Sequence, residues 1–121
     1  MEIMNGTDII EVKRIQDDIE KLGDKFLNRI YAENEIKYCE EKKSQKYQSY
    51  AARFAAKEAI YKALSKFINK EYSWKDFEVL NDKSGKPYVK LGIGIEGLES
   101  ISITLSHCKE YAVANVLAIC K

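Results

Sequence analysis

The stretch KYQSYAARFAAKEAIYKALSKF, Lys46–Phe67, decides the fold: it is rich in alanine and holds neither glycine nor proline. Intrinsic propensity alone favours a long helix there. Glu58 and Lys62 stand four apart in it, about 40° from each other on one face. A pair at that spacing is most often a solvated ion pair worth a few tenths of a kcal/mol. Here Phe54 shares the face, and Ala55, Ala56, Ala59 and Ala63 keep the neighbouring backbone approachable. Such a setting places the pair at the border of a cleft.

Upstream of that helix, Glu2–Ile10 reads as a strand ending near Asp8. From Glu11 the apolar spacing turns helical, with Val12, Ile15, Ile19 and Leu22 on one side and Gly23 as the stop. Phe26, Leu27 and Ile30 suggest a short second helix, and Asn34 is placed to cap a third that carries Ile36, Tyr38 and Cys39. Downstream the texture changes. Trp74–Leu80 and Tyr88–Leu91 read as strands joined by a loop dense in turn formers, Asn81 to Pro87. Ile101, Ile103 and Leu105 alternate with polar residues, Tyr111–Ile119 is a further strand, and Ser106–Glu110 joins the two as a hairpin. The order is strand, helices, then strands. It predicts an α+β protein whose mostly antiparallel sheet packs one face against the long helix.

The chain has 121 residues with 45% hydrophobic and 32% charged side chains, which predicts one globular domain over 1–121 and excludes disorder. Twenty basic against 19 acidic side chains leave a formal charge of +1. That balance offers no general attraction to nucleic acid or to a membrane, so an ionic partner must meet a local patch. Cys39, Cys108 and Cys120 are odd in number and lack metal-ligand spacing, as expected of reduced thiols. Glu2, Asn5 and Asp8 interrupt the first apolar stretch, so neither a signal peptide nor a membrane span is expected and the protein reads as cytoplasmic.

Asp8 follows Gly6 and Thr7 at the end of the first strand, before a helix. A carboxylate so placed suits a hard cation or the neighbourhood of an anionic ligand, although an isolated one is more often a cap or turn residue. Magnesium takes one or two protein carboxylates and completes its shell with water and phosphate oxygen. Asp8 and Glu58 would satisfy it if the fold brings them together, with Lys62 holding a phosphate. His107 is the only histidine, so no histidine-rich metal site exists. A serine–histidine hydrolase lacks its glycine-flanked nucleophile here.

Four blocks together resemble the holo-(acyl-carrier-protein) synthase family. They are Gly6-Thr7-Asp8-Ile9 with Arg14; Arg53-Phe54-Ala55-Ala56-Lys57-Glu58-Ala59 with Lys62-Ala63-Leu64; Asn81 with Gly85-Lys86-Pro87; and Leu105-Ser106-His107 with Lys109-Glu110-Tyr111-Ala112. The second is the most specific, and the resemblance runs from about residue 3 to 119. Thr104, where serine is frequent, and Cys108, where a small hydroxyl residue is usual, are mild departures.

The resemblance implies a 4′-phosphopantetheinyl transferase fold that assembles as a homotrimer with intersubunit active sites. Its activity would be transfer of the phosphopantetheine arm of coenzyme A to a serine of apo acyl carrier protein, with release of 3′,5′-ADP, for fatty acid biosynthesis. Asp8 and Glu58 match magnesium ligands and, with Lys62, the catalytic set. Lys62 and His107 match positions on the coenzyme's phosphates, Ser106 is a candidate contact to the coenzyme, Arg53 and Lys57 are candidates for its 3′-phosphate, and Gly85 to Pro87 match a loop near its adenine. Arg14, with Lys13, Lys21 and Lys25 around it, matches the helix that meets the acidic carrier. Glu35 matches an acidic position and is a candidate general base. Two other readings remain for the same residues: a magnesium-dependent phosphoryl transferase or hydrolase that needs no carrier, and a non-catalytic binding module that needs neither carboxylate.

Overall fold

The computed structural model describes residues 1–68 and 72–121. Strand β1 (Glu2–Glu11) runs antiparallel to β5 (Tyr111–Cys120), whose other edge pairs antiparallel with β4 (Leu98–His107), giving the order β1-β5-β4. A second, separate ribbon joins β2 (Phe77–Asn81) to β3 (Pro87–Leu91). Among the described residues four α-helices precede β2: α1 (Val12–Leu22), α2 (Asp24–Ile30), α3 (Glu33–Glu40) and α4 (Lys46–Leu64). The α+β class and the antiparallel pairing agree with the sequence reading.

Several boundaries differ from it. β1 does not stop near Asp8, because β5 supplies ladder partners as far as Glu11, which faces Tyr111. Asp8 is therefore a mid-strand residue, opposite Ala114, and not a neighbour of a helix N-terminus. α3 starts before Asn34; its first turn is capped by Glu35, whose carboxylate accepts a 2.9 Å bond from the Ala32 amide. Leu22 is exposed, since α1 buries only Val12, Ile15 and Ile19. α4 ends at Leu64, short of Phe67. Trp74–Asp76 form a 3-10 turn and β2 begins only at Phe77. β4 extends through His107, which shortens the expected hairpin loop to Cys108–Glu110.

The core lies between α4 and the inner face of the three-stranded sheet. Small residues on both sides set how close they come. Ala55, Ala59 and Ala63 of α4 and Ala112, Ala114 and Ala118 of β5 are all buried. Gly6 is the tightest point: a Cβ there would lie 2.1 Å from the Ala59 carbonyl oxygen. The absence of that one carbon lets β1 lie on the helix and brings Asp8, two residues on, level with Glu58 and Lys62. Among the described residues no helix covers the sheet's outer face. Ile3 and Ile9 are 64% and 62% exposed.

Candidate functional site

Chemistry-bearing side chains gather in two places, on different sides of α4. The first is a carboxylate cluster. Lys62 Nζ donates to Asp8 Oδ1 and to the Thr7 carbonyl, both at 3.1 Å. Burial, and then the charge of Asp8, push the Glu58 carboxyl above its ordinary range, while Lys62 and Arg14 pull it down. Two carboxylates near enough for the charge of one to act on the other, with Lys62 bonded to Asp8, form a donor set that suits a hard divalent cation. Among the described residues no group of three or more His, Cys, Asp or Glu side chains could hold a metal. Magnesium does not require one, because water and phosphate complete its shell.

The second place is a basic cavity of about 240 Å³. Arg53, His107, Asn81, Gly85 and Pro87 line it, as does Lys42. Arg53 is only 3% exposed. Its guanidinium donates to Asn81 Oδ1 and, at 3.3 Å, to Ser49 Oγ, and lies 4.1 Å from the centroid of the Tyr38 ring. Arg53 Nε is buried without a hydrogen-bond partner among the described residues. A buried, incompletely satisfied guanidinium on a cavity wall invites an anion, since an unmet charged donor costs more than a neutral one. Lys42 Nζ lies 4.6 Å from the same tyrosine ring, adding a second cation. His107 Nδ1 lies 2.9 Å from Gln48 Oε1. The hairpin closes the far wall, where Asn81 Nδ2 donates to the Gly85 carbonyl at 3.0 Å.

The fold thus brings Asp8, Glu58 and Lys62 together, and separately Arg53, Gly85, Pro87 and His107. Three expected residues fall elsewhere. Lys57 does not reach either place. It is 1% exposed, and its ammonium is taken up by Glu35 at 2.8 Å and the carbonyls of Trp74 and Phe77 at 3.0 and 2.8 Å, so its contact with a 3′-phosphate is withdrawn. Glu35, wholly buried, accepts from Lys57 and from the amides of Ala32 and Val79, which removes it as a general base. Ser106 is exposed and does not line the cavity, because alternation along β4 turns Leu105 and His107 inward and Ser106 to the outer sheet face. The carrier-side candidates Lys13, Arg14, Lys21 and Lys25 are all exposed on α1 and the start of α2. Tyr38 and Lys42 went unnoticed in the sequence. Their only local signal is an aromatic followed four residues later by a lysine, and nothing local says that Arg53 will sit on the same ring.

With this geometry in view, the chain matches the family model described as the 4′-phosphopantetheinyl transferase superfamily over residues 4–116. It is 52% identical over 120 residues to the holo-(acyl-carrier-protein) synthase of Ruminiclostridium cellulolyticum, covering 94% of this chain and 90% of that one. Among solved structures it is similar to the Bacillus anthracis holo-(acyl-carrier-protein) synthase in complex with CoA (3′,5′-ADP), at 42% identity and a TM-score of 0.79, covering 98% of this chain and 96% of that one. It also resembles the Helicobacter pylori synthase in complex with coenzyme A, at 31% identity and a TM-score of 0.80, over 95% and 99% of the two chains.

Proposed function

The chain belongs to the 4′-phosphopantetheinyl transferase superfamily, among its holo-(acyl-carrier-protein) synthases, and on that premise we propose that it transfers the phosphopantetheine arm of coenzyme A to a serine of an apo acyl carrier protein. The observation that carries this reading is the pairing of a basic cavity around the under-bonded Arg53 with a separate two-carboxylate cluster carrying Lys62. One suits the nucleotide phosphates and the other the diphosphate where bonds change.

In the reaction the carrier's serine oxygen attacks the phosphorus that bears the pantetheine arm, and its proton passes to water. The bond from that phosphorus to the bridging oxygen breaks, and 3′,5′-ADP leaves with the electron pair. Asp8 and Glu58 would hold magnesium, which supplies neutralisation of the diphosphate's charge. Lys62, on the rim of the same cluster, offers its ammonium to a phosphate oxygen as charge moves to the leaving group. Arg53, with Lys42 beside it, grips the 3′-phosphate. His107 and the Gly85 to Pro87 turn hold the phosphate and adenine side, so that much of the rate comes from positioning.

A homotrimer with intersubunit sites is part of the same proposal, and the placement of the two clusters supports it. Arg53 and Glu58 are five residues apart on α4, about 140° around the helix. One chain therefore turns its basic cavity and its carboxylates in different directions, whereas a neighbour's carboxylates could meet this chain's cavity. The uncovered apolar side chains Ile3 and Ile9 on the outer sheet face, with Leu117 between them, give such an assembly something to bury. Ser106 lies on that same face. Chain 1–121 would act as one domain. The three free cysteines fit a reducing cytoplasm, the described residues contain no helix long and apolar enough to cross a membrane, and the holo carrier would serve fatty acid biosynthesis. Mass spectrometry of apo carrier protein incubated with coenzyme A, magnesium and this chain tests the reading. A mass gain equal to the phosphopantetheine arm supports it. Nucleotide breakdown with an unmodified carrier sinks it.

A further inference from the structure

Lys57 and Glu35 form the one ion pair that is buried at both ends among the described residues. Each makes three hydrogen bonds inside the protein. The three ammonium protons of Lys57 meet three acceptors, and Glu35 holds two backbone amides besides the lysine. Buried as they are, neither is open to a ligand. Stability alone is a poor reason for such a pair, since apolar side chains of the same volume often do as well. Its partners suggest another. The node ties together α3, α4, the 3-10 turn Trp74–Asp76 and the first strand of the β2–β3 ribbon.

That ribbon needs fastening. It is not hydrogen-bonded into the three-stranded sheet, and a lone two-stranded hairpin is marginal in water. Phe77 and Val79, both wholly buried, are the β2 residues whose backbone the pair grips. From this node two paths lead to the basic cavity. Arg53 lies one helical turn before Lys57 on α4, and Asn81 lies four residues after Phe77 on β2. The two meet in the Arg53–Asn81 hydrogen bond, with Gly85 and Pro87 beyond.

We propose that Glu35 and Lys57 are positioning residues that hold the β2–β3 ribbon against α4, so that Asn81, Gly85 and Pro87 face Arg53 across the cavity. They thereby set the affinity for the nucleotide end of coenzyme A without touching it. This rests on the assignment of that cavity to the nucleotide under Proposed function.

The probe is adenosine 3′,5′-bisphosphate, titrated calorimetrically into the full chain, together with steady-state kinetics of transfer. Lys57→Met is expected to weaken the bisphosphate about tenfold or more and to raise the Michaelis constant for coenzyme A in parallel. Turnover at saturating coenzyme A and the Michaelis constant for the carrier are expected to stay within about twofold. Glu35→Gln keeps the side-chain shape and folds more readily; it is expected to weaken the bisphosphate about threefold, and it carries the test if Lys57→Met fails to fold. The apolar double variant Glu35→Leu/Lys57→Met separates positioning from stability. Its thermal midpoint should recover towards wild type while bisphosphate affinity stays low, because an apolar pair cannot grip the backbone of Phe77 and Val79. Affinity that recovers together with the midpoint, or wild-type affinity in any folded variant, overturns the inference. A wild-type chain that binds no bisphosphate would instead overturn the assignment of the cavity.

Discussion

The charge of Asp8 raises the cost of the charge on Glu58, and the two are the proposed metal ligands. Asp8→Ala and Glu58→Gln are each expected to lower the rate of transfer at least about a hundredfold, on the scale of losing an electrostatic catalytic element. Circular dichroism should stay at the wild-type spectrum, because neither side chain belongs to the core cluster. Near-wild-type rates with magnesium in excess would remove the metal assignment. His107 is different in kind. It lines the basic cavity and lies beside Gln48, so His107→Ala should raise the Michaelis constant for coenzyme A about five- to thirtyfold, an effect of about 1–2 kcal/mol. The constant for the carrier, measured in the same assay, should not move. A loss confined to the carrier would put the residue on another surface.

Elements place these residues with little slack, and β1 against α4 shows it best. Gly6→Ala puts a carbon 2.1 Å from the Ala59 carbonyl oxygen, which backbone on both sides must move to accommodate, at a cost of about 1–3 kcal/mol. The strand moves away from the helix and takes Asp8 with it. A lowered thermal midpoint and a weakened magnesium dependence of the rate should therefore appear together, and an alanine tolerated in both would contradict the close approach. α1 presents Arg14 and Lys21 on one exposed stripe, about 20° apart, with Lys13 paired to Asp17 beside it. The charge of Arg14 also reaches Glu58, which sets this stripe next to the carboxylate cluster. Arg14→Glu should raise the Michaelis constant for an acidic carrier, and the wild-type chain should lose affinity for that carrier as salt rises, more steeply than the variant, since such contacts are screened over about 10 Å at 0.1 M. Coenzyme A kinetics should hold. Unchanged carrier kinetics at low salt would move the docking surface elsewhere.

The whole molecule poses the question of which chain supplies which half of a site. Arg53→Ala and Glu58→Gln variants, each inactive alone, should regain activity when unfolded together and refolded as a mixture. Random assortment around a closed ring of head-to-tail contacts gives about a quarter of the sites an intact Arg53 and an intact Glu58. No regain in a mixture that light scattering shows to be mixed oligomers would place both halves in one chain. A monomer that is stable and active at micromolar concentration would contradict the assembly altogether. The sequence by itself determined the α+β order of elements, the α4 register that puts Glu58 and Lys62 on one face, and the motif blocks that carry the family. Those features are local: propensity, periodicity and spacing along one element are properties of neighbours in the chain. Only the tertiary structure decided that Asp8 is a mid-strand residue bonded to Lys62, that Lys57 faces inward to Glu35 while Arg53 faces a cavity, and that Tyr38 and Lys42 join that cavity. Each depends on a close approach between segments far apart in the chain, through Gly6 on α4 or the β2–β3 ribbon on α3, and a lysine in a motif carries no mark of whether its partner will be a ligand or a buried carboxylate.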